Sequence, residues 1–224
     1  MNSKIKAIIL DFDGIIISSK VAEYESWRRV FKVFNCHLTI KKWIKIIDNP
    51  MGEFDPASII IKKCKYGEKL NHHDIQILRK HLYEDLRNSL NPLPGVVKLI
   101  KECSKLGLLI GLASNGIHEQ IKGHLIRLKL TSYFNSIKGR DDVENKKPAP
   151  DLHLALLKEF KITSSEAIVF EDSPPGIAAA KSANIYTIAV PNKITKYLNL
   201  QEADKICKSL KYFSMKDFLA KVAF

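Results

Sequence analysis

No stretch of this 224-residue chain approaches the ~20 consecutive apolar residues needed to cross a bilayer, which excludes a protein built on membrane-spanning helices. The first apolar stretch is short and runs at once into Asp11 and Gly14, so it does not read as a secretory leader. Cysteine is scarce. Cys36, Cys64, Cys103 and Cys207 are widely scattered, with no Cys-x-x-Cys pair. That pattern excludes a disulfide framework or a zinc ribbon, and predicts reduced thiols in a cytoplasmic protein. Internal repeats, low-complexity tracts and long disordered linkers are missing as well. Acidic residues are outnumbered, leaving a net charge of +12. Such a surplus suits nucleic acid or a membrane surface. Yet the lysines run along the whole chain in short clusters such as Lys41-Lys42, with no aromatic–basic interleaving. The charge therefore reads as a lysine-rich surface, one that still favours the approach of an anion.

What is present is the material of a sizeable core, with 46% hydrophobic residues. Residues 6–10 form a strand. Helical periodicity then takes over, with Tyr24, Trp27, Val30, Phe31 and Phe34 on one face of a helix over residues 21–35. Further helices are expected over 40–47, 56–65 and 72–90, the last with Asn71 as N-cap, separated by breaks at Asn49-Pro50 and Tyr66-Gly67. Trp27 and Trp43 read as core of this block, and His72 and His73 as solvated. From Val96 the chain alternates: helix to 106, strand 108–113, helix 117–128, a weaker strand near 135–138, helix 151–160, strand 167–170, helix 176–183, strand 186–190. Alternation of this kind predicts an α/β fold, a parallel sheet with helices on both faces. The helical block is too long for a crossover and reads as an inserted domain. The expected division is residues 1–17 and 92–224 for the core and 18–91 for the insert.

Three predicted strands end in polar chemistry. The first runs into Asp11-Phe12-Asp13-Gly14, where alternation starts both carboxylates on the same side of the backbone. Like charges this close need a cation or a shared proton, and oxygen ligands favour Mg2+. The second ends in Ser114-Asn115-Gly116 ahead of a helix, where unpaired N–H groups suit phosphate oxygens. Helix capping by Ser114 is the plainer alternative there. The third ends in Glu171-Asp172, before Ser173-Pro174, itself a good helix start. Lys147 precedes Pro148, which biases it toward an extended conformation; Lys146 stands next to it, and spacing alone does not say which of the two points inward. Open α/β sheets bind ligands at the edge where these strands end.

In that order and spacing the four segments resemble the haloacid dehalogenase-like hydrolase superfamily, and within it the β-phosphoglucomutase-like phosphatases. The resemblance spans nearly the whole chain. It implies a Rossmann-like core with an inserted all-helical cap domain. It implies Asp11 as nucleophile forming an aspartyl-phosphate, Asp13 as general acid and base, and Ser114, Asn115 and Lys147 as phosphate ligands, with Lys147 also catalytic. By the same resemblance the metal ligands are the Asp11 carboxylate, the Asp13 carbonyl and Asp172, with Glu171 acting through water. Glu23 and Tyr24, early in the cap, are candidate substrate contacts. The chain departs from relatives in carrying Ser18-Ser19-Lys20 where they place acidic hinge residues, and Glu23 where the mutases have histidine. Residues 50–56 hold no arginine to clamp a bisphosphate. The expectation is thus a Mg2+-dependent, monomeric phosphatase of a small phosphorylated metabolite such as a sugar phosphate. The alternatives are a β-phosphoglucomutase-type mutase and, behind it, a nucleic-acid-binding protein or polynucleotide end phosphatase.

Overall fold

The structure, a computed structural model, describes residues 5–47, 55–63 and 71–221. The chain separates into two compact units, Met1–Ser18 with Asn91–Phe224, and Ser19–Leu90. Among the described residues no helix is long and apolar enough to cross a membrane.

The first unit is a six-stranded, wholly parallel sheet. Its strands are β1 (Ala7–Leu10), β2 (Leu109–Ala113), β3 (Ser136–Lys138), β4 (Ala167–Glu171), β5 (Tyr186–Ala189) and β6 (Lys205–Ile206), in the order β3-β2-β1-β4-β5-β6. β1 and β4 are buried along their whole length. That is why they read as unbroken apolar runs, as strands covered on both faces do. One face carries Ala7, Ile9, Ala167 and Val169, packed with Leu152 and Leu156 and with Ala180. These last residues come from the helices Asp151–Phe160 and Pro174–Ser182. The opposite face carries Phe170, whose ring meets Phe213 edge-on at 5.5 Å, and Phe213 in turn packs on Phe218 of the helix Met215–Lys221.

The α/β reading from sequence is thereby shown, with element ends differing by a residue or two. The helix expected from Gly176 starts at Pro174, because the Ser173 side chain caps it by accepting from the Gly176 N–H. The tail beyond residue 190, left without elements by the periodicity, supplies β6 and the helix Met215–Lys221. A two-residue strand is too short to show a pattern.

The second unit contains helices over Ser19–Val33, Ile40–Ile47, Pro56–Lys63 and His72–Ser89. Trp27, Trp43, Ile60 and Ile75 are buried. Asn71 caps the last helix, its side chain accepting from the Asp74 N–H at 2.9 Å. His72 is exposed and pairs with Asp55 at 2.7 Å. The breaks expected at Asn49-Pro50 and Tyr66-Gly67, with Cys64 and residues 50–54, lie outside the described residues. One expectation is corrected here: Cys103 and Cys207 are free, but Cys36 is disulfide-bonded. Scatter along a sequence does not measure distance in the fold.

Candidate active site

Register brings the polar strand ends together. Leu10 pairs with Leu112 on one side and Phe170 on the other. Asp11 continues the strand, donating its N–H to the Phe170 carbonyl at 3.0 Å. Asp11 thus lies beside Ala113 and Glu171. By alternation Asp11 and Glu171 share a face with Ile9 and Val169. The loop before the helix Asp151–Phe160 crosses the same face and delivers Lys147.

The Lys147 ammonium sits at the centre. Its Nζ donates to Asp11 Oδ1 at 2.7 Å, to the Ala113 carbonyl at 2.8 Å and to Glu171 Oε1 at 2.5 Å. Lys147 is buried whereas Lys146 is exposed. Burial alone would lower the Lys147 pKa, but the charges of Asp11 and Glu171 outweigh it and hold the ammonium well above the ordinary lysine range. Asp11 is pushed well above the usual carboxylate range, first by burial and then by Glu171, with Lys147 opposing.

The Lys147 backbone is pinned from the neighbouring strand end. Asn115 Oδ1 accepts from the Lys147 N–H at 2.9 Å, and Asn115 Nδ2 donates to its carbonyl at 3.1 Å. Ser114 is buried, and its Oγ accepts from the Gly116 N–H at 3.0 Å. The helix that follows starts only at His118, with Ile117 as N-cap, and its first N–H donates to Asp141 Oδ1 at 2.8 Å. Ser114 is therefore not the helix cap that its sequence position suggests.

Glu171 is fully buried at the end of β4. Its Oε2 accepts from the N–H groups of Asp172 and Ser173, at 2.8 and 3.1 Å, and from the Ser173 hydroxyl at 3.1 Å. It acts as a brace between Lys147 and the loop that carries Asp172. Gly176 makes room for it, since a Cβ there would fall 1.8 Å from Glu171 Oε1. Gly14 does the same for Asp172: its φ is +116°, and a Cβ would stand 2.1 Å from Asp172 Oδ2.

Asp11, Glu171 and Asp172 each offer an oxygen within 4.8 Å of the others, and all three are buried. Asp13 lies outside that cluster of carboxylate oxygens, half-buried, with its Oδ1 enclosed and without a hydrogen-bond partner among the described residues. Three buried carboxylates against one ammonium leave two negative charges over, which fits a divalent cation. All-oxygen donors suit Mg2+ or Ca2+ rather than a thiolate-seeking metal.

The chain itself falls in a known family. Residues 8–190 match the haloacid dehalogenase-like hydrolase family. The chain belongs to that family. YhcW of Bacillus subtilis (strain 168) is 35% identical over 206 residues, covering 92% of each chain. A phosphorylated carbohydrates phosphatase of Thermotoga maritima is 27% identical over 187 residues, covering 82% of this chain and 83% of its own. The crystal structure of a β-phosphoglucomutase-like protein from Thermotoga maritima shares the fold, with a TM-score of 0.76 at 24% identity over 98% of this chain and 100% of that one.

Two features had no signal in the sequence. Asn192 Nδ2 donates to Asp172 Oδ2 at 2.7 Å from twenty residues away. His153 is fully buried near Lys147 and Glu171, with neither ring nitrogen partnered among the described residues. Of the helical-unit candidates, Tyr24 is buried, its hydroxyl donating to the Leu38 carbonyl at 3.0 Å and its ring against Trp43, which makes it a packing residue. Glu23 is half-exposed and accepts from Arg79 at 3.0 Å, the guanidinium also lying 4.7 Å from the Tyr83 ring centroid.

Proposed function

We propose that the protein is a Mg2+-dependent phosphatase that hydrolyses a small phosphorylated metabolite, with a sugar phosphate as the favoured class. The observation that carries this reading is the buried Lys147 ammonium joining Asp11 to Glu171 beside Asp172. Such a cluster is costly to bury, and it suits the transfer of a dianionic group. The named activity of the Thermotoga relative supports the substrate class.

Asp11 has one oxygen held by Lys147, which turns the other toward an incoming phosphorus. Attack forms an O–P bond and breaks the ester P–O bond, giving an aspartyl-phosphate. Asp13 gives its proton to the departing alkoxide. It then takes one from the water that releases inorganic phosphate, restoring Asp11. The Ser114 hydroxyl and the Asn115 N–H receive the phosphoryl oxygens, and the Lys147 charge offsets their developing negative charge. Asp11, Asp172 and the Asp13 carbonyl would hold the cation. When bound, it screens the repulsion between Asp11 and the anionic ester. The helical unit serves as the cap on this reading, with Glu23 as its candidate substrate contact. The protein acts as a monomer on this reading.

The test is release of inorganic phosphate from a panel of sugar, nucleotide and polyol phosphates. Activity should require Mg2+, vanish in excess chelator, and vanish in Asp11→Asn while the melting profile persists. Full turnover in chelator overturns the proposal. Conversion of β-glucose 1-phosphate to glucose 6-phosphate without free phosphate would replace hydrolysis by the mutase reaction.

A further inference from the structure

Asn192 belongs to none of the four motif segments and lies beyond the stretch that matches the family. The sheet explains its arrival at the site. β5 pairs with β4 so that Ala189 stands opposite Glu171, and the Val190 N–H donates to the Glu171 carbonyl at 2.7 Å. The chain leaving β5 therefore runs beside the chain that carries Asp172.

The orientation of its carboxamide is determined by the backbone. Asn192 Oδ1 accepts from the N–H groups of Ile194 and Thr195 at 2.9 and 3.0 Å. The buried Thr195 reciprocates, its Oγ1 accepting from the Asn192 N–H at 3.0 Å. A flipped amide would set its NH2 group against two backbone donors. Only one arrangement remains, and in it Nδ2 donates to Asp172 Oδ2 at 2.7 Å. Asp172 is fully buried, so bulk water does not compete for this charge-assisted bond. The donor is also neutral. Lys147 cancels charge where it binds Asp11 and Glu171, whereas an amide turns a carboxylate and leaves its charge for a cation.

We propose that Asn192 is the positioning residue of the cation site, fixing the rotation of the Asp172 carboxylate before the ion arrives. The inference rests on the cation-dependent reading above. It assigns the outer hydrogen bond that metal-ligating carboxylates require.

Calorimetric titration of Mg2+ into the protein without substrate tests it, comparing wild type with Asn192→Ser and Asn192→Ala. Serine keeps an oxygen able to accept from N–H groups two and three residues on, and so keeps the turn. It removes Nδ2. Both variants should bind Mg2+ about tenfold more weakly, the loss of one charge-assisted hydrogen bond. Asn192→Ser should still melt cooperatively, somewhat below wild type because a buried Asp172 oxygen loses its donor. Its apparent Mg2+ requirement for phosphate release should rise about tenfold, while kcat at saturating Mg2+ stays within about twofold. Wild-type Mg2+ affinity in Asn192→Ser overturns the inference alone and leaves Asn192 a turn former. No Mg2+ binding by the wild type overturns it together with the cation reading.

Discussion

Lys147 has three ammonium protons and three acceptors, so the group is saturated where it stands. Replacing it by methionine leaves Asp11 and Glu171 facing each other with no charge between them. In Mg2+-free buffer, Lys147→Met should therefore lose about 3–5 kcal/mol in urea unfolding, as when one partner of a buried pair is removed. Wild-type stability would contradict the central place given to this lysine. His153 carries the opposite liability. Burial, with the Lys147 charge adding to it, pushes its pKa down to about 3. The unfolded chain takes up a proton below about pH 6.5 and the folded ring does not. Stability from this group is thus lost as pH falls from about 6.5 toward 3. His153→Phe should raise the urea midpoint, by the equivalent of about 1–3 kcal/mol of unsatisfied-group cost near neutrality and by more at pH 5. A midpoint gain that did not grow on acidification would refute the assignment. At this scale the sequence singled out Asp11, Lys147 and Asp172 as candidates, and the fold brings the three together. The residues it missed, Asn192 and His153, act through partners set by strand pairing and helix packing, which no local pattern encodes.

The strand ends and the turns after them do the positioning. Gly14 combines a left-handed backbone with a space already filled by Asp172. Gly14→Ala should abolish phosphate release and lower the urea midpoint, whereas an ordinary surface Gly→Ala change is close to neutral. The sequence anticipated a sharp turn at this glycine, but the reason from Asp172 appears only when β1 and β4 are paired. Buried strands and periodic helices were legible because burial on both faces and a regular apolar spacing leave local marks: Ile40–Ile47 and Asp151–Phe160 match their expected bounds, and His72–Ser89 starts behind its expected cap, Asn71. β6 and the Ser114 turn were not, the first being too short and the second drawing its partner from Gly116 rather than from a helix.

Across the whole molecule the surplus of +12 is the property that a substrate meets first. For a dianionic ester, kcat/KM should fall roughly threefold to tenfold between about 10 and 200 mM salt with kcat unchanged, because screening acts on encounter and not on chemistry. A DNA column at low ionic strength should not retain the protein strongly, given lysines spread without aromatic partners; tight, steeply salt-dependent retention would restore the nucleic-acid reading. The disulfide at Cys36 shows how weak composition is as a guide to pairing in space. What the sequence by itself determined was the alternation of strand and helix, the order of the polar strand ends and their chemistry, because periodicity and turn residues are local. The tertiary structure decided which oxygen each side chain takes. It set Lys147 inward and Lys146 outward, made Glu171 a brace, and brought Asn192 to Asp172, since these contacts depend on parallel register between segments far apart in the chain.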